Sequence, residues 1–144
     1  MSLHGAYDTG NIFAKIIRGE APCFKVFEDD VALAFMDLFP VGRGHALVIP
    51  KRAQARNLIE LPVAEIGPYM ERVQRVAAAQ VKALKPDGVT IMQFNGAPAG
   101  QSVFHLHFHI IPRWEGQALG KHGQTPMADK ADLEKLAAKI AAAM

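Results

Sequence analysis

From Val103 to Ile111 the chain reads Val-Phe-His-Leu-His-Phe-His-Ile-Ile, alternating histidine with a large apolar residue three times over. A period of two belongs to a β-strand, whose successive side chains point to opposite faces. Extended, the run sets His105, His107 and His109 on one face, with neighbouring Cα atoms roughly 6.5–7 Å apart, and Leu106, Phe108 and Ile110 on the other, against a core. Three imidazoles in a row suit core packing poorly, because each brings a donor and an acceptor that must be satisfied once buried. The row therefore predicts a site. A solvated strand face that carries histidines is the bland alternative, and a metal centre is the sharper one, since two alternating histidines on a strand can ligate zinc with a third nitrogen or carboxylate.

The neighbouring sequence argues for phosphate over metal. Asn95-Gly-Ala-Pro-Ala-Gly-Gln-Ser102 supplies glycines, backbone N–H groups and a hydroxyl, and contains no carboxylate. At pH 7 an imidazole of unperturbed pKa ~6.5 is about three-quarters neutral, so a row of three can hold a neutral nucleophile beside a protonated neighbour. That arrangement suits phosphoryl transfer, with the neutral ring attacking phosphorus and the cationic neighbours and the loop N–H groups stabilising the charge that builds on oxygen. By position, His107 is the natural nucleophile, being the only one flanked by a histidine on each side.

The rest of the chain predicts an α+β frame for this strand. Ile12/Ile16 and Phe13/Ile17 recur at helical spacing between Asn11, a plausible cap, and Gly19, a plausible stop. Cys23 to Glu28 and Val31 to Asp37 read as a hairpin about Asp29-Asp30, and His45 starts a strand that Pro50 stops. Between Pro62 and Leu84, Ile66, Tyr69, Met70, Val73, Val76, Ala77, Val81 and Leu84 trace one stripe of a long helix, with Gly67-Pro68 expected to bend or delay its first turn. Val89 to Phe94 and Val103 to Ile111 complete the strands. From Ala128 to Ala143, Leu133, Leu136 and Ile140 line one side of a short helix that must dock, a partner subunit being one candidate.

Composition bounds the reading further. The 144 residues fit one domain, with 16 basic and 14 acidic residues and no run of like charge, which speaks against a nucleic-acid polymer as partner. A single cysteine, Cys23, allows neither an internal disulfide nor a multi-cysteine zinc motif and suggests a reducing, cytoplasmic setting. No apolar run approaches the ~18 residues of a membrane helix, so no membrane role is expected.

Taken together, His105-Leu-His-Phe-His-Ile-Ile111, the preceding Gly100-Gln-Ser-Val-Phe104, Phe35-Met-Asp-Leu-Phe-Pro40 and Gly44-His-Ala-Leu-Val-Ile-Pro-Lys51 closely resemble the histidine triad (HIT) family over about residues 10 to 113, leaving 114 to 144 as a C-terminal extension of a single domain. The resemblance implies an antiparallel sheet of about five strands with one long helix, flanked here by the short terminal helices, and a homodimer built on a continuous sheet. It implies that His107 attacks the α-phosphorus of a purine, most often adenine, nucleotide, that His109 helps at the phosphate and leaving group, and that His105 and His45 orient and tune them. Ser102 and the backbone around Gly100 and Gln101 would meet the phosphate or leaving group, with Asn95 also facing the α-phosphate. Asp37 would hold the ribose hydroxyls, and Ile12, Phe13, Ile16, Phe35 and Leu38 would surround the base. Arg113 and Trp114 are expected at the surface, and His122, in a glycine-rich loop, in solvent.

One departure stands out. Many bacterial members carry a Cys-x-x-Cys pair at the first helix that completes a structural zinc site with histidines. Here those positions read Asn11 and Ala14, so neither zinc nor any other cofactor is expected. The implied activity is metal-independent hydrolysis or transfer of nucleoside phosphoramidates through a nucleotidyl-histidine. Hydrolysis of dinucleoside polyphosphates is the nearest alternative, and a nucleotide-binding regulatory module with little turnover is an alternative of another class.

Overall fold

The structure is a computed structural model that describes residues 2–144. Its five strands are β1 (Lys25–Glu28), β2 (Ala32–Met36), β3 (Ala46–Pro50), β4 (Gly88–Met92) and β5 (Phe108–Arg113). They form one antiparallel sheet in the order β1-β2-β3-β5-β4. The helices are α1 (Ile12–Ile17), α2 (Val63–Leu84) and α3 (Lys130–Ala141). The fold is α+β, as the sequence pattern predicts.

Alternation along the strands sorts the sheet into two unequal faces. Ala32, Ala34 and Met36 of β2, Ala46 and Val48 of β3, and Phe108 and Ile110 of β5 face α2 and α3, where Tyr69, Val73, Val76, Leu133 and Ile140 complete the main core. The intervening residues Leu33, Phe35, Leu47 and Ile49 turn to the other face and pack against Phe13 and Ile16 of α1. Both faces of the central strands are covered, which is why β2 and β3 read as unbroken apolar runs. Ile110 is fully buried, and that burial alone is worth about 2–3 kcal/mol. His109, one residue away on β5, therefore points to the α1 side.

Several elements differ from expectation. The last strand starts at Phe108 rather than Val103 and runs through Pro112 to Arg113. Val48 pairs with Phe108, so two positions further on the register would set Pro50 opposite Leu106, and a proline has no N–H to donate. The chain leaves the ladder instead, with Leu106 N–H donating to the Ala55 carbonyl across 2.9 Å. β4 ends at Met92, two residues early. α2 starts at Val63 without delay and continues through Pro68. Its buried stripe holds Tyr69, Val73, Val76 and Leu84, while Ile66 and Val81 stand exposed. α3 docks on its own chain, packing mainly on β1 and α2 through Leu133, Ala137 and Ile140, so the segment after Arg113 contributes to the core. Among the described residues no helix is long and apolar enough to cross a membrane.

Candidate active site

His45, His105, His107 and His109 are all buried along the α1 side of the sheet, and their partners fix where each proton sits. Nδ1 of His107 lies 2.7 Å from the backbone oxygen of His105. A carbonyl only accepts, so Nδ1 carries the hydrogen and, in the neutral ring, Nε2 keeps its lone pair. Phe13 of α1 meets the His107 ring edge-on at 4.9 Å between centroids and holds its plane.

His105 stands behind His107. Its Nε2 donates to the Pro50 carbonyl across 2.9 Å, and its Nδ1 accepts from the Tyr7 hydroxyl at 2.5 Å. Both ring nitrogens are thus occupied by protein.

His45 stands behind His109 in the same way. Gly44, at φ +84°, turns the chain into β3, and Val41 N–H donates to Nδ1 of His45 across 3.1 Å. Nε2 of His45 must then hold the hydrogen, which it directs to Nδ1 of His109 at 2.9 Å, with an Asp37 oxygen 3.4 Å away. Nδ1 of His109 accepts, so Nε2 of His109 is an N–H donor; it is buried and has no partner among the described residues. The cavity is thus offered a lone pair by His107 and, from a ring 5.0 Å away, an unused N–H by His109. Gln80 of α2 holds this pair from beneath, its amide nitrogen donating at 2.9 Å to both the Gly44 and the Ile110 carbonyls, one next to His45 and the other next to His109.

Burial sets the charge. Loss of water pushes His105 down to about 4 and lowers His45, His107 and His109 as well; for His109 the neighbouring histidines add to the effect. Burial thus disfavours the protonated neighbours expected from the sequence, and the accepting Nδ1 atoms of His45 and His109 make those two rings neutral donors.

The rings of His107 and His109 open onto a cavity of about 460 Å³, within the usual range for a small-molecule site. Ile12, Phe13, Ile16, Phe35 and Leu38 form its apolar wall, and Asp37 and Ser102 also line it. Asp37 does double duty, since one of its oxygens accepts Phe39 N–H at 2.8 Å and so caps the turn.

The glycine-rich loop is not the N–H cradle its sequence suggests. Gly96 N–H goes to the Gln101 side chain, Ala97 N–H to Ser2, Ala99 and Gln101 N–H to the Gly96 carbonyl, and Gly100 N–H to the Ala97 carbonyl. Gln101 is a staple, its amide donating to the Arg56 and Val103 carbonyls. Asn95 bonds to Leu58 N–H and to Gln93 and does not line the cavity. Of the loop residues singled out, Ser102 alone reaches the cavity.

His122 departs furthest from expectation. It is half-buried, with its ring 5.0 Å from that of His109 and 5.2 Å from that of Phe94, and it lines the cavity with Thr125. Nothing in its glycine-flanked sequence pointed there, nor did anything mark Tyr7 or Gln80.

Asp37, His45 and His109 bring potential metal-ligand atoms within 4.8 Å of one another. The proton arrangement fits a metal poorly there, because His45 already accepts at Nδ1 and a neutral imidazole must keep a hydrogen on its other nitrogen. At α1, the Asn11 side chain caps the helix by accepting Ala14 N–H, and Ala14 carries no ligand atom, so neither position supplies the metal ligand a cysteine would.

Comparison with known proteins agrees with this fold. A family model described as the HIT domain matches residues 18–116. The chain is 42% identical over 104 residues to adenosine 5'-monophosphoramidase hnt1 of Schizosaccharomyces pombe, covering 71% of this chain and 73% of that protein. It is 41% identical over 117 residues to adenylylsulfatase HINT3 of Arabidopsis thaliana, covering 77% of this chain but 59% of that longer protein. The crystal structure of a Hit-like protein from Bartonella henselae superimposes with a TM-score of 0.91 at 48% identity, over 97% of this chain and 100% of that one.

Proposed function

The chain belongs to the HIT domain family, and on that premise we propose that it hydrolyses, or transfers the nucleotidyl group of, purine nucleoside phosphoramidates at the α-phosphorus, through a covalent nucleotidyl-His107 and without a metal. The observation that carries this reading is the pairing of the Nε2 lone pair on His107 with the unpartnered Nε2–H of His109 at one cavity. Relatives named as an adenosine 5'-monophosphoramidase and an adenylylsulfatase support nucleotide hydrolysis at the family level.

In the first step Nε2 of His107 attacks phosphorus, the bond to the leaving group breaks, and the leaving group departs with the electron pair and takes up a proton. Positive charge then develops on the His107 ring, whose Nδ1–H strengthens its bond to the His105 carbonyl. The phosphoryl oxygens meet His109 Nε2–H and Ser102. Water attacks in the second step, the P–N bond to His107 breaks, and the nucleotide leaves. Ile12, Phe13, Ile16, Phe35 and Leu38 enclose the base, and Asp37 takes the ribose hydroxyls through the oxygen that does not cap the turn.

The same reading includes a cytoplasmic homodimer. β4 is an outer strand carrying an exposed Ile91, and pairing it across a two-fold axis would extend the sheet and cover that residue.

The test is incubation with adenosine 5'-phosphoramidate, following AMP release and looking by intact mass for a single adenylyl adduct in quenched samples. Wild type is expected to give both, and His107→Ala neither. Retained turnover in His107→Ala, or activity that vanishes with chelator, would overturn the reading.

A further inference from the structure

The four buried histidines leave one chemical role unfilled, because a basic leaving group needs a proton as its bond to phosphorus breaks, yet His45 and His109 accept hydrogen bonds at Nδ1, both nitrogens of His105 are bonded to protein, and His107 must keep a lone pair to attack. The cavity places another histidine where that proton is wanted. Phe13, His107, His109 and His122 follow one another at centroid spacings of 4.9, 5.0 and 5.0 Å. The nucleoside end of this row is the apolar wall of α1 and β2 around Phe13. A substrate with its base there and its α-phosphorus at His107 directs its remaining substituent past His109 towards His122.

His122 is held in that position. The Gly120 N–H donates to the Val41 carbonyl at 2.8 Å, the Thr125 hydroxyl to the Phe39 carbonyl at 2.9 Å, and the Ala128 N–H to the Leu38 carbonyl at 2.9 Å, mooring the loop on both sides of the ring. Neither ring nitrogen of His122 hydrogen-bonds within the described residues, and the ring is half-buried, so it faces both the cavity and water.

We propose that His122 is a catalytic residue on the leaving-group side, protonating the departing amine or alkoxide and so extending the activity to nucleotides with poor leaving groups. The inference rests on the nucleotidyl-His107 reading. As the phosphorus bond to the leaving atom breaks, that atom keeps the electron pair and takes the proton from the His122 imidazolium; in the second step the attacking water returns a proton to the neutral His122 ring. The overall proton count is unchanged and no further reactant is required.

The test compares two substrates, the p-nitrophenyl ester of AMP, whose leaving group departs without a proton, and an alkylamine phosphoramidate of AMP, whose leaving group does not. His122→Ala and His122→Gln are both expected to lose about 10²-fold or more in kcat/KM on the alkylamine substrate while staying within about threefold of wild type on the ester. Glutamine fills the space and can still hydrogen-bond, but it cannot transfer a proton, so an equal loss in both variants separates proton transfer from packing. Equal losses on the two substrates, no loss on either, or full rescue by glutamine would overturn the role of His122. Absence of nitrophenolate release from wild type would instead overturn the nucleotidyl-His107 reading itself and this inference with it.

Discussion

Nε2 of His45 donates to Nδ1 of His109 across 2.9 Å, and the direction is settled by Val41, whose N–H already fills Nδ1 of His45. The proton on the far side of His109 is thus decided two groups away, by Val41 in the turn before β3. Without that sequence of donors His109 could present a lone pair to a phosphate oxygen, which would repel it.

Replacing His45 by leucine should release this control. The expected result is a fall in kcat of about 10²-fold with a smaller change in KM, since a positioned electrostatic donor acts mainly in the transition state. Steady-state kinetics on an adenosine phosphoramidate checks the split. A loss confined to KM would place His45 in ground-state binding instead.

Tyr7→Phe removes a hydroxyl that bonds Nδ1 of His105 and touches nothing in the cavity. A buried acceptor then loses its partner, and the expected cost is about 1–2 kcal/mol of stability in urea unfolding. Turnover should stay within a few-fold of wild type, because the other His105 nitrogen and the carbonyl that holds His107 are unaffected.

Acid should destabilise the fold earlier than carboxylate titration alone would. Burial depresses His45, His105, His107 and His109 below their unfolded value of about 6.5, with His105 near 4. The unfolded chain therefore binds more protons than the folded chain over that window, and stability, complete above about pH 6.5, declines as pH falls towards 4. Thermal melts across this range check it, and a flat Tm between pH 7 and 5 would contradict it. The His107 nucleophile likewise stays neutral below pH 6.5, so the acid limb of kcat/KM should lie on the acidic side of that value.

The alternating run placed the histidines on the correct side of the sheet because a period of two survives even where the ladder does not. His105 and His107 lie outside β5, yet Leu106 still faces the main core and His107 still faces α1. The apolar cavity wall was legible through the family resemblance, and so was the departure of Asn11 and Ala14 from a zinc motif. The roles of Asn95 and Gln101 were not, because an amide side chain reads the same whether it binds a ligand or staples a loop. His122 was invisible for a different reason, since its place depends on backbone bonds to residues 38–41 that no local pattern announces.

Gln80→Met keeps the side chain's bulk and removes its donors, leaving the Gly44 and Ile110 carbonyls buried without that partner. The expected cost is about 2 kcal/mol or more of stability. Because those carbonyls adjoin His45 and His109, kcat should fall together with stability. Chemical denaturation with parallel kinetics reads both, and a variant as stable and active as wild type would show that the clamp is dispensable.

α3 gives the chain a long return. Having left the sheet at Arg113, the polypeptide crosses the mouth of the cavity, held by the Gly120, Thr125 and Ala128 bonds to residues 38–41, and is fixed to the main core when Leu133, Ala137 and Ile140 settle against it. A shortened version stopping soon after β5 would keep His45, His105, His107 and His109 and still lose His122 and the far rim of the site. Remote anchorage of this kind lets substrate range drift through changes in a terminal helix that no substrate ever meets.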